Sequence, residues 1–249
     1  MEHAVSQKAG VFGYAAPASE SAPSIHARPY LGAIDGPALT GAQRETLTQL
    51  AARLRLPPRM LLYEEQSPAR WLFMISQGAV KAFQDLPSGK RRIAAFLFPG
   101  DIFGLAEHGR YLNSTQTITP VTLYRIPLDT LTDVFTHDAA LQLAFLGKVT
   151  HELREAQRRA IAVSRRDAAG RLAMFLVMLR DHLRRVEVDP DEIPLVMSRS
   201  DIADFLALTL EAVSRASTEL ERRRLIHFEG RHLVRVLDRR RLEKLAASL

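Results

Sequence analysis

The chain has 249 residues, 47% hydrophobic and 25% charged, a balance that supports one large domain or two ordinary ones and argues against global disorder. Its formal net charge of +6 suits a polyanionic partner. It has no cysteine, which excludes disulfides, thiol redox switching, cysteine-ligated iron–sulfur clusters and cysteine-containing zinc sites. The longest apolar run, LAMFLVML from Leu172 to Leu179, is far short of the roughly 20 residues a membrane helix needs. The start, MEHAVSQK, has neither a basic beginning nor an apolar h-region, so a cytoplasmic protein is predicted.

Residues 1–38 are rich in Ala, Ser, Gly and Pro without sustained periodicity and read as a flexible tail. Thr40–Leu54 reads as a helix, because Leu47, Leu50, Ala51 and Leu54 make an i, i+3, i+4, i+7 stripe. From Leu56 to Ile126 short apolar segments alternate with turn chemistry at Pro57-Pro58, Ser67-Pro68, Gln77-Gly78, Pro87-Ser88-Gly89 and Pro99-Gly100-Asp101. The segments RMLLYEE, RWLFMIS, AVKAFQD, RRIAAFLF, STQTIT and TLYRIP predict an N-terminal β-roll of jelly-roll type over residues 39–136. Leu86–Lys90 is its clearest hairpin turn. Trp71, Phe73, Phe83, Phe96 and Phe98 are expected to fill the core rather than to bind a cofactor.

Helical periodicity then returns. Leu146, Val149, Leu153, Ala156, Ala160 and Val163 recur at steps of 3, 4, 3, 4 and 3, a heptad seam. Their neighbours, including Glu152, Arg154, Glu155 and Arg158, are polar, and the stripe is narrower than a helix packed on its own domain wants. Residues 137–164 are therefore predicted to be a dimerisation helix, supported by the flanking domains. A hinge follows at Arg165-Arg166. Residues 165–249 form the last unit, opening with a helix over Asp167–Leu183 whose wider face is Leu172, Phe175, Leu176 and Leu179.

Met197–Ile226 reads as two helices around a tight turn. Ser198 and Asp201 make a capping-box-like start, and Ile202, Phe205 and Leu206 give an apolar face. Ala207-Leu208 is the turn, Thr209 the next N-cap, and Glu211 lies in the first turn, where the helix dipole favours an anion. At about 100° per residue, Glu211, Ser214, Arg215, Thr218 and Arg222 share one arc, with Val213, Ala216 and Leu220 opposite. Solvent alone would satisfy one polar helix face. The capped first helix, the short turn and the run Arg222-Arg223-Arg224 together predict a DNA-binding helix-turn-helix. LIHFEGRHLVRV then reads as a hairpin around Glu229-Gly230, a wing, and Arg239–Leu245 as a short terminal helix.

This order of β-roll, long helix and winged helix-turn-helix, an α+β architecture, resembles the Crp–Fnr superfamily of bacterial transcription regulators. The likeness runs from Thr40 to the end and is most specific in DIADFLALTLEAVSRASTELERRRLI. PGDIFGLAEHG and LTLEAVSR are most similar to the FixK-like and Fnr-like branch. The resemblance implies base readout by Glu211, Ser214 and Arg215 of an inverted repeat with TTGAT-like half-sites. It also implies a homodimer on double-stranded DNA, RNA polymerase as a partner, and activation more than repression. Chemistry agrees: arginine donates two bonds to guanine O6 and N7, glutamate accepts from cytosine N4, and serine suits either kind of edge. Leu210 stands where catabolite-activator-type members carry a further arginine. Arg199, Thr209, Thr218, Arg222, Arg223, Arg224 and Arg231 are candidates for the DNA backbone, although any one of them is equally compatible with a solvated surface.

The family's cyclic-nucleotide binders place a glutamate after the roll's glycine turn and an Arg-Ser pair nearby. Here Leu105 follows Gly104, and the later segment reads Tyr111-Leu112-Asn113-Ser114, so cyclic AMP is not expected. His108, His137 and His151 are isolated, and a lone histidine is more often a surface residue than a haem ligand. No cofactor and no metal are assigned, with ligand- or haem-dependent regulation the alternative. His227 and His232 are expected to face each other across the wing, where solvated residues are the simpler reading than a metal site. A metal-dependent jelly-roll enzyme would need clustered histidines, and residues 56–126 contain His108 alone. No Ser-His-Asp, Walker or dinucleotide glycine pattern is present, so an enzyme is not expected.

Overall fold

The computed structural model describes residues 40–165, 167–184 and 191–247; the predicted tail lies outside them. Thr40 caps α1 (Gly41–Gln49) in a capping box with Gln43, and Leu47 is the residue that α1 buries. The helix is shorter than the Leu47–Leu54 stripe suggests. Leu54 belongs instead to β1 (Ala52–Leu56), opposite Leu123 of β10 (Val121–Pro127). ARLRL alternates as a strand, and pairing with β10 satisfies a row of backbone groups that a further helical turn would not.

The roll is two four-stranded antiparallel sheets. One has the order β1-β10-β3-β6, with β3 at Trp71–Gln77 and β6 at Ile102–Phe103. The other has the order β2-β9-β4-β5: β2 is Leu61–Tyr63, β4 Val80–Asp85, β5 Arg91–Leu97 and β9 Ser114–Thr117. A small hairpin, β7 (Ala106–Glu107) and β8 (Arg110–Tyr111), joins β6 to β9. The six predicted segments all become strands; β1, β6, β7 and β8 do not stand out in the sequence. The Leu86–Lys90 turn closes as expected, with Leu86 N–H donating to Lys90 O at 2.8 Å and Gly89 at φ +75°.

Strand β3 reads as a continuous apolar run because both its faces are covered. Phe73 and Ile75 enter the roll interior with Val80, Phe103, Tyr111, Val121 and Leu123. Leu72 points the other way, into a cluster with Leu47, Ile126, Leu131 and Leu141 under α1, α2 (Leu128–His137) and α3 (Ala139–Arg165). Of the predicted core aromatics, Phe73, Phe83, Phe96 and Phe98 are buried, while Trp71 is half-buried with the Arg125 guanidinium 4.2 Å from its ring centre.

The third core is centred on α4 (Ala168–Arg184), whose Leu172, Phe175, Leu176 and Leu179 are all buried as predicted. Around it lie α5 (Arg199–Leu206), α6 (Leu210–Arg222), α7 (Arg239–Ala247) and a three-stranded sheet of order β11-β13-β12. In that sheet β12 (Ile226–Glu229) and β13 (Leu233–Val236) form the predicted wing, and β11 (Glu192–Pro194) adds an edge strand. Phe83, Ile93 and Phe96 of the β4–β5 hairpin, and Phe98 just after it, belong to this same core, so the roll and the C-terminal helices bury apolar surface together. Arg180 of α4, itself buried, ties α7 down through Glu243 at 2.7 Å.

Between α5 and α6 the chain turns on Ala207, which sits in the left-handed region at φ 52°, ψ 47°. That conformation costs a non-glycine residue roughly 1–2 kcal/mol, against roughly 0.4–1 kcal/mol of extra unfolded-chain entropy for glycine. Ala207→Gly is therefore expected to stabilise the protein by about 0.5–1 kcal/mol, read as a higher urea midpoint at unchanged m-value. A lower midpoint would mean that the methyl group has a packing role outweighing the backbone strain.

Candidate nucleic-acid interface

Both helices of the Met197–Ile226 stretch are set by side-chain caps. The Asp201 N–H donates to Ser198 Oγ at 3.0 Å, and the Asp201 carboxylate accepts from the Ser198 N–H and hydroxyl at 3.2 and 2.8 Å. Thr209 Oγ1 accepts from the Ala212 N–H at 3.1 Å and starts α6. Val213, Ala216, Ser217 and Leu220 are buried against the preceding helices, each large apolar side chain contributing roughly 1.5–3 kcal/mol. That anchoring leaves Glu211, Ser214, Arg215, Thr218 and Arg222 together on the exposed side.

The charges on this side are ordered. Glu211 is held below the usual carboxylate range by its own backbone N–H, then by the Thr209 hydroxyl and the nearby Arg215. It is therefore an ionised acceptor at neutral pH, as pairing with a cytosine amino group requires. Glu219 takes up Arg222 in a two-pronged pair at 2.9 Å and Arg223 at 2.6 Å, but not Arg215. Solvent screens such exposed pairs, so a phosphate can replace them at little cost. Thr218 donates its hydroxyl back to Ser214 O at 3.2 Å. Arg224 occupies a left-handed position, φ 55°, in the turn after α6. Arg231 is exposed in the wing turn, and Arg199 lies 5.1 Å from the Phe228 ring centre, between α5 and the wing.

Two residues add to what periodicity indicates. Leu210, the first residue of α6, is 50% exposed and puts an apolar surface beside Glu211 and Ser214. Leu143 of α3 is 70% exposed, next to the predicted seam. Within the seam Leu146 and Leu153 are 59% and 57% exposed, Val149 is half-buried and Ala160 exposed; the side chains of Ala156 and Val163 lie outside the described residues.

The wing differs from expectation at its histidines. His227 pairs in register with Arg235 rather than facing His232, and its ring lies 3.3 Å from Glu221. His232 falls in the turn, directed at Leu195 O at 3.4 Å, because three residues separate the strands. His108 is exposed in the β7–β8 turn, His137 points back to Asp133 O, and the His151 side chain lies outside the described residues. Among the described residues no three His, Asp or Glu side chains are grouped to hold a metal.

The roll interior beside the glycine turn is filled by aromatic rings. Tyr63 stacks on Tyr111 at 3.7 Å and on Phe73 at 5.7 Å, and Phe73 on Phe103 at 5.1 Å. The Tyr111 hydroxyl accepts from the backbone N–H groups of Arg70 and Trp71 and donates to Trp71 O. Burial pushes the Tyr63 phenol well above its ordinary pKa, so it stays neutral among these rings. Gly104 is required here: a Cβ would lie 2.8 Å from Trp71 O. These side chains do not fit a cyclic nucleotide, which needs a cavity and a cationic partner for its phosphate.

Residues 53–138 match the cyclic nucleotide-binding domain family and residues 170–245 the Crp-like helix-turn-helix domain. The chain is 36% identical over 222 residues to the transcriptional activatory protein AadR of Rhodopseudomonas palustris, spanning 87% of this chain and 92% of that protein. It is 30% identical over 213 residues to the nitrogen fixation regulation protein FixK of Bradyrhizobium diazoefficiens, spanning 84% and 88%. The solved structure of FixK2 from Bradyrhizobium japonicum matches with a TM-score of 0.74 at 30% identity, over 80% of this chain and 98% of that one. These relatives are regulators rather than enzymes. The chain belongs to the Crp–Fnr family of DNA-binding transcription regulators, with a cyclic nucleotide-binding-type roll ahead of its helix-turn-helix.

Proposed function

We propose that this regulator is a cytoplasmic, homodimeric activator that reads an inverted repeat with TTGAT-like half-sites and then contacts RNA polymerase. The observation that supports it best is the exposed face of α6. There an ionised Glu211, Ser214 and an arginine that Glu219 leaves uncommitted project from one helix, capped by Thr209. Glu211 accepts from a cytosine N4, Arg215 spans guanine O6 and N7, and Leu210 offers an apolar contact to a thymine methyl. The exposed Leu146 and Leu153 supply the two-fold seam that an inverted repeat demands. Arg199, Thr209, Arg222, Arg223, Arg224 and Arg231 flank the reading face as backbone contacts, and the aromatic-filled roll acts without a cyclic nucleotide.

The test is a binding comparison at one fixed salt concentration. A palindromic TTGAT duplex should bind with a preference of about 30-fold to about 10⁴-fold over a duplex in which the G·C pair of each half-site is exchanged. Equal binding of the two would reject the specificity.

A further inference from the structure

The helix-turn-helix is fastened to its own β-roll by a part-buried ion pair. Lys81 Nζ on β4 lies 2.6 Å from Asp201 Oδ1 on α5, and the two side chains are 13% and 14% exposed. The other carboxylate oxygen, Oδ2, is the one that closes the α5 capping box with Ser198. One carboxylate therefore joins the start of the helix-turn-helix to the roll. Burial raises the Asp201 pKa, but the hydrogen bonds from Lys81 and Ser198 outweigh it and hold the group ionised. Arg91, two-pronged on Asp85 and 3.8 Å over the Phe83 ring, sets a second positive charge facing Asp201 and Asp204.

Apolar contacts run alongside. Phe96 of β5 meets Phe205 of α5 at 5.1 Å and Phe175 of α4 at 5.9 Å, and Phe175 and Phe205 are 5.7 Å apart. The rings supply contact energy but tolerate sliding. A part-buried ion pair contributes little net stability, because desolvation offsets its attraction, but its 2.6 Å contact is more directional than ring packing. With the pair closed, Glu211, Ser214 and Arg215 remain exposed, so the docked arrangement is compatible with reading DNA.

We infer that Lys81 is a positioning residue for DNA reading: by holding Asp201 it orients α5 and α6 on the roll, so that two recognition helices meet both half-sites without a search over orientations. The inference rests on the dimeric, two-half-site reading proposed above. Pre-orienting both heads raises affinity for the palindrome and leaves a single half-site unaffected, because one head can always rotate to meet one site.

The experiment measures fluorescence anisotropy of full-length wild type, Lys81→Gln and Lys81→Arg on the palindrome and on a single half-site duplex, across a salt series. Asp201 is left intact because it also caps α5. Lys81→Gln is expected to weaken palindrome binding by about tenfold or more, with half-site affinity, salt slope and cooperative melting unchanged. Lys81→Arg should restore most of the loss. Equal or tighter palindrome binding by Lys81→Gln would overturn the inference, as would an equal loss on both duplexes. A salt slope reduced by about one would also do so, since it would make Lys81 itself a phosphate contact. If wild type shows no preference for the palindrome over the half-site, the dimeric reading fails instead.

Discussion

Replacing Leu153 with glutamate is expected to convert the protein to monomers and to weaken binding of the inverted repeat by about 10²–10⁴-fold. Leu153 is 57% exposed on α3, as Leu146 is at 59%, and both lie on the heptad seam facing away from the chain's own cores. In a two-fold pair each would fill a hole on the facing helix and lose most of that exposure. A carboxylate there meets its symmetry mate across the axis, and two desolvated like charges oppose association directly. The loss of affinity follows from geometry rather than from any missing contact to DNA. A monomer engages one half-site at a time and forfeits the high effective concentration of the second head. Analytical ultracentrifugation gives the oligomeric state, and circular dichroism checks that α-helical content is kept. A Leu153→Glu protein that remains dimeric would place the interface elsewhere.

Arg215→Ala is expected to remove about 1–3 kcal/mol of discrimination in each half-site, and roughly twice that over the palindrome. The side chain is exposed on α6, and the arginines further along the helix are already engaged by Glu219. The signature is a narrowed preference: the variant should discriminate far less between the TTGAT palindrome and its G·C-exchanged counterpart, keeping only what Glu211 contributes at the cytosine. Arg215→Lys keeps the charge but loses the planar fork, so it should recover non-specific affinity and little specificity. Arg222→Ala is the contrast, weakening every sequence by a similar factor and reducing the salt slope by about one. An undiminished preference in Arg215→Ala would assign guanine reading to another residue.

Caps, faces and turns were legible in the sequence because each is a local property. Ser198, Thr209 and the Val213–Leu220 face act within one or two helical turns, and the structure reproduces them. The strands announced by Pro and Gly turns came through for the same reason. The shared Leu54 shows where local reading misleads: a helical stripe and a strand alternation both claim it, and only the β10 partner at Leu123 settles the choice. β6, β7 and β8, each two residues long, carry too little alternation to register.

Length, patterning and chemistry thus determined by themselves that this chain pairs a β-roll with a helix-turn-helix, and which residues share the exposed side of α6. Tertiary structure alone decided how the two are fastened. Lys81 and Asp201 stand 120 positions apart, and neither lies in a pattern that names the other. Phe83 and Phe96 read as ordinary core residues, and the sequence does not say that the core they enter is the one built on α4. Tyr63 and Tyr111 similarly fill the roll only because strands remote in sequence bring their rings to 3.7 Å. Periodicity records which side of an element is buried. It holds no record of what buries it, since that depends on contacts whose partners the chain order does not specify.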